Sequence, residues 1–177
     1  MTANAAPRRL GARTRRAVLI VHIASAGSWL GVDVAMAVLI ATAMTTDDTA
    51  TLVFSLQALE LVSVWPLLAC GTICLLSGLT LGLGSKWGLV RYWWVAIKLV
   101  LNVVLTGLVL VALQPEVAKQ ADLARRLAAG EAVSFDLSNL IYPPTVSPTL
   151  LLAAITLSVV KPWGRIRRRE TAPAGAR

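Results

Sequence analysis

Histidine occurs once in this chain and cysteine twice, and no Cys-x-x-Cys, His-Glu-x-x-His, Walker or Gly-x-Gly-x-x-Gly pattern is present. The short motifs that announce dithiol redox, zinc hydrolysis or phosphate binding are therefore missing. A serine, a histidine and an aspartate are available, but no nucleophile elbow accompanies them. Charge is scarce as well. Only 15 % of the 177 residues are charged against 56 % hydrophobic, and mean hydropathy is +0.71. A soluble domain carries roughly 25 % charged residues, so lipid is the solvent for much of this chain.

What is present is a set of four apolar stretches, at about 17–44, 52–84, 90–113 and 141–160. About 20 residues cross a bilayer core, so each stretch crosses once. The second is too long for one perpendicular crossing. Its first third, up to about Glu60, is expected at the interface or in a helix continuing beyond the membrane. The expected fold class is all-α: a polytopic four-transmembrane-helix bundle with spans at about 17–44, 61–84, 90–113 and 141–160. The bundle domain is 17–163, between basic tails 1–16 and 164–177. The longest loop carries Pro115, Gly130 and a face of Val117, Ala121, Leu123, Ala124 and Leu127. Those residues describe a short amphipathic helix on the outer surface. Tyr142 to Pro148, with three prolines, is expected to enter the membrane in extended or kinked form, and Pro66 to bend the second span. Ala41-Thr-Ala43 has the form of a signal-peptide cleavage site, but the apolar run before it exceeds a secretory core, so the first span reads as uncleaved.

Lys and Arg set the orientation. Thirteen of the seventeen fall in the N-terminal tail (Arg8, Arg9, Arg13, Arg15, Arg16), the second loop (Lys86, Arg91) and the C-terminal tail (Lys161, Arg165, Arg167, Arg168, Arg169, Arg177). The first loop has only Asp47 and Asp48; the third balances Lys119, Arg125 and Arg126 against four acids. Both termini are expected in the cytoplasm, with the protein in the cell membrane. The net charge of +8 thus reads as a topology signal, with anionic lipid headgroups as partners of the tails and no nucleic acid. Trp87, Trp93, Trp94 and Trp163 flank the cytoplasmic face as interface anchors. Gly27/Gly31 and Gly78/Gly82 are small-residue ridges for helix contact, within the chain or in a homo-oligomer.

Ionisable residues in hydrocarbon need partners, a wet cavity or a task. His22, Ser25, Trp29 and Asp33 share one stripe of the first span, and Arg91, Trp94, Lys98 and Asn102 one stripe of the third. Two polar clusters are expected: an inner ligand-binding one of His22, Ser25, Trp29, Trp94, Lys98 and Asn102, and an outer one of Asp33 and Glu60. The plainer alternatives stay open: a snorkelling Lys98, hydrated Asp33 and Glu60, and a structural His22. Cys70 and Cys74 share a helical face, poorly placed for a mutual disulfide. With His22 they offer a soft copper(I) site, or they are simply small apolar side chains.

The step His22-x6-Trp29-x-Gly31 resembles the first span of copper-resistance-D-like bacterial membrane proteins. The runs from Trp87 to Lys98 and from Leu157 to Gly164 resemble an uncharacterised actinobacterial family of four-span integral membrane proteins. A more distant likeness is to HemJ-type protoporphyrinogen oxidases, which pair the same histidine step with a later Trp-then-Lys step. That likeness implies haem b, with His22 as ligand and Lys98 as partner for substrate carboxylates. HemJ-type proteins carry further histidines near the lysine, where this chain has Val95, Ala96 and Asn102.

The functional expectation is a non-enzymatic membrane protein whose polar interior binds or passes a small ligand or ion or supports a complex. The alternatives are a haem- or porphyrin-dependent redox protein and a copper-handling one. The topology is directly testable. Reporter fusions are expected to place both termini inside and a fusion at Asp122 outside; cytoplasmic activity at Asp122 would end the four-span reading.

Overall fold

The computed structural model describes residues 10–84 and 92–160. The basic tail residues before and after these, with Lys86, Trp87, Arg91 and Trp163, lie outside the described residues. The described chain is helical, without strands. It comprises α1 (Ala12–Thr45), α2 (Thr49–Val62), α3 (Val64–Leu83), α4 (Trp93–Leu108), a π-helical turn Val109–Leu113, α5 (Gln114–Ala128), a 3₁₀ turn Ser138–Ile141 and α6 (Tyr142–Val160). Four helical units are long and apolar enough to cross a membrane: Ala12–Thr45, Thr49–Leu83, Trp93–Ala128 and Ser138–Val160. The chain is an integral membrane protein built as a four-helix bundle.

Neighbouring pairs are α1 with α3, α3 with α4, α4 with α6 and α6 with α1, so the spans close a ring in which α1 and α4 stand diagonally opposite. The outside of the ring is apolar: Ile20, Val34, Trp65, Val111 and Val159 are all more than 60 % exposed. The inside carries the polar residues, with Ser25, Asp33, Ser77 and Ser147 buried. This inversion is what a hydrocarbon solvent selects, since polar groups find partners only within the protein.

The first three units have 34, 35 and 36 residues. At 1.5 Å per residue that is roughly 50 Å, about 20 Å more than a bilayer core. The excess gathers at the end where α1 finishes and α2 begins. There Met36, Ile40 and Ala43 of α1, Leu56 and Leu59 of α2, and Val117 and Ala124 of α5 share one core. This cap absorbs the helix expected on the outer surface: the apolar face of α5 packs on α2 rather than on lipid. The first third of the second apolar stretch is α2, a cap helix. Asp48 caps its N-terminus by accepting from the Thr51 hydroxyl (2.6 Å) and the Thr51 N–H (2.8 Å), and those bonds hold its carboxyl below the ordinary range. Gln120 donates from Nε2 to the Asp136 carbonyl and to Glu116, tying the loop after α5 back to the cap.

Two local expectations are corrected. The segment from Tyr142 enters as regular helix, not as extended chain. Pro143 and Pro144 occupy its first turn, where N–H groups have no intrahelical acceptor, and only Pro148 lies inside. Gly27 and Gly31 do not meet another described helix of the same chain: a Cβ added at either finds nothing within 4 Å. The bend in the second unit does accompany Pro66, as a break at Ser63 three residues earlier.

Close approach instead occurs at Gly71, where an added Cβ would lie 2.5 Å from Thr106 Oγ1 and 2.7 Å from the Trp29 ring. The ring cannot swing aside without losing its own hydrogen bond. Gly71→Ala is expected to cost about 1–3 kcal/mol by overpacking and Gly31→Ala close to nothing, compared by thermal unfolding in detergent. Equal melting temperatures would place the helix contact elsewhere.

Candidate functional site

α1 and α3 meet at His22. Its Nδ1 lies 3.0 Å from the Cys74 carbonyl, 3.0 Å from Ser77 Oγ and 3.6 Å from Cys74 Sγ. A carbonyl only accepts, so Nδ1 carries the proton and donates, which in the neutral ring leaves the lone pair on Nε2. Gly78 makes room for the ring: a Cβ there would sit 3.2 Å from Cε1. Ser77 is in turn bonded to the Ile73 and Cys74 carbonyls, so the imidazole rests on a fixed acceptor.

Lys98 approaches from α4. Its ammonium donates to Ser158 Oγ of α6 at 2.8 Å and lies 4.7 Å from the centre of the Trp94 ring. His22, Lys98, Asn102 and Ser158 line one cavity of about 130 Å³, to which all four spans contribute. Asn102 Oδ1 is buried and without a hydrogen-bond partner. A cavity near 150 Å³ holds a molecule the size of benzene, so this one takes a ligand of about six heavy atoms.

The inner set of residues thus divides. His22, Lys98 and Asn102 share the cavity wall, and Trp94 lies under Lys98. Ser25 turns back on its own helix, donating to the His22 carbonyl. Trp29 is elsewhere: its indole N–H donates to Ser147 Oγ at 2.9 Å, and Ser147 donates to Asp33 Oδ2 at 2.8 Å. Asp33 is 1 % exposed. Glu60 is not with it. That carboxylate pairs with Arg125 Nη1 at 2.8 Å on the cap surface, both side chains more than one third exposed. Cys74 is beside His22, whereas Cys70 packs against the main core. Among the described residues no group of three His, Cys, Asp or Glu is gathered for a metal ion.

Ser77, Ser147 and Ser158 were missed by sequence reasoning. Serines in apolar helices commonly bond their own backbone, as Ser158 also does to the Ala154 carbonyl, so composition gave no reason to single these out. Compared with protein-family models, curated proteins and solved structures, the chain matches none.

Ser147→Ala would leave the Trp29 N–H and both Asp33 oxygens without partners. It is expected to cost about 1–3 kcal/mol or more in thermal or denaturant unfolding, whereas Arg125→Ala on the exposed cap pair is expected to cost no more than about 1 kcal/mol. Equal effects would mean that the buried chain is not structural.

Proposed function

We propose that this protein is a non-enzymatic, multi-pass protein of the bacterial cytoplasmic membrane, with both termini in the cytoplasm, whose inner cavity binds a small organic anion. The observation that carries the reading is the placement of the Lys98 ammonium, bonded to Ser158, on the wall of a cavity that also holds His22 and Asn102. An ammonium inside a bundle marks a ligand or ion path more often than a packing site. The ammonium gives the described wall a positive charge, and the remaining lining, apart from Cys74 and Gly78, is leucine, isoleucine, valine and alanine. A monoanion with a short apolar body matches both features. The basic residues of the tails and of Arg13, Arg15 and Arg16 support the orientation.

Butyrate, with six heavy atoms, is a suitable probe. It is expected to raise the melting temperature of the protein in nanodiscs, n-butanol is not, and Lys98→Met is expected to weaken butyrate binding by about tenfold or more. Binding unchanged in Lys98→Met would sink the reading.

The rival reading, a haem-dependent redox protein, is favoured by one feature. Histidines that bind metals characteristically donate their other ring nitrogen to a carbonyl, as His22 Nδ1 does to Cys74. A Soret band that disappears in His22→Ala would replace the anion reading with that one. Copper handling draws support only from the His22–Cys74 pair.

A further inference from the structure

The inner cavity leaves Asp33 unused. This carboxyl lies three residues, about 4.5 Å along α1, from Met36, where the cap core begins, and is 1 % exposed. Its Oδ2 accepts from Ser147, and its Oδ1 is buried without a hydrogen-bond partner. Ser147 is itself supplied by Trp29, so a single neutral hydroxyl is all that answers the carboxyl. No lysine, arginine or histidine is among the described residues around it. A carboxylate in hydrocarbon is stable only when neutralised, by a proton or by a cation.

Beside Asp33 is a second cavity, of about 220 Å³. It is larger than the inner one, and its wall, apart from Asp33, Ser147, the Trp29 indole and Tyr142, is hydrocarbon. Leu108 and Val146, each 43 % exposed, stand at its edge between the third and fourth spans, on the surface that faces lipid. Along that wall the third span runs as the π-helical turn Val109–Leu113, an irregularity that recurs at functional sites. Pro115, just beyond, withholds the N–H that a regular turn would use.

We propose that Asp33 and this cavity form a binding site for a small lipophilic amine in its ammonium form, entering from the bilayer between the third and fourth spans. The ammonium supplies the charge and the donor that Asp33 Oδ1 lacks. The apolar wall takes the hydrocarbon body, and the Trp29 ring offers an aromatic face to the cation. The cavity volume sets an upper size of about nine heavy atoms by the same benzene-sized standard. This site is independent of the anion reading of the inner cavity, since it shares neither its charged residue nor its probe.

Cyclohexylmethylammonium is the test ligand and cyclohexylmethanol its neutral counterpart. In nanodiscs the amine is expected to raise the melting temperature of the wild-type protein and the alcohol to leave it unchanged. Asp33→Asn, which retains an acceptor for Ser147, is expected to weaken amine binding by about tenfold or more. Should that variant fail to fold, the wild-type protein still decides. Diisopropylcarbodiimide, small enough for the cavity and delivered from the lipid phase, is expected to modify Asp33, and the amine but not the alcohol to protect it, as read by peptide mass spectrometry. Equal protection by the alcohol would reduce the site to an apolar hole. Absent labelling, labelling indifferent to the amine, or stabilisation by Na⁺ and not by the amine would each overturn the proposal.

Discussion

The Trp29 side chain holds three spans at once. Its ring presses on Gly71 of α3, where an added Cβ would overlap it, and its N–H reaches Ser147 of α6. Helices in lipid gain nothing from hiding apolar surface, since the solvent is as apolar as they are. Close packing and internal hydrogen bonds must do that work. In this bundle both converge on one indole, which explains why the glycine that matters for packing is Gly71, opposite it, while Gly27 and Gly31 face outward. The same contact sets the depth of α6 against α1 and so places Ser147 level with Asp33.

The class of the fold was legible because hydrocarbon leaves a strong mark on composition: long apolar runs with the few charges near their ends. Sharing of the inner cavity by His22 and Lys98 was also legible, since periodicity fixed the face and distance from the basic flanks fixed the depth. The stripe from His22 to Asp33, however, is eleven residues long, about 16 Å of helix. One site of benzene size cannot extend over that length, so residues on a common face fell into two sites. Trp29 went with Asp33. Glu60 was separated from Asp33 because the helix breaks at Ser63 and the chain before it joins the cap. Sequence gave the apolar length of that segment but no sign of α5, to which Arg125 belongs, as its neighbour.

The cap also accounts for the course of the last span. Three units rise beyond the bilayer and pack on one another, so the chain must descend again from well outside it. Residues after Ala128 do this with little regular structure until the 3₁₀ turn at Ser138. Two fixed points guide that descent: Gln120 holding the Asp136 carbonyl and Asp136 accepting from the Ser138 N–H and hydroxyl. Those bonds hold the Asp136 carboxyl below its ordinary range. α6 can then start at Tyr142 as helix despite its prolines.

The two cavities differ in sign and share a wall. The inner one carries the ammonium of Lys98, the other the carboxyl of Asp33, and Leu105, 5 % exposed, lines both. α1 and α4 are diagonal in the ring, and side chains form the wall between the two cavities. A ligand in either cavity therefore packs against the same leucine. The π-helical turn begins four residues beyond Leu105 along the same helix. A regular helix at that point would carry its hydrogen-bond ladder unbroken past the partition. The π-helical turn changes its register there, with the Gln114 N–H bonded to the Val109 carbonyl five residues back, at the segment that bounds the Asp33 cavity.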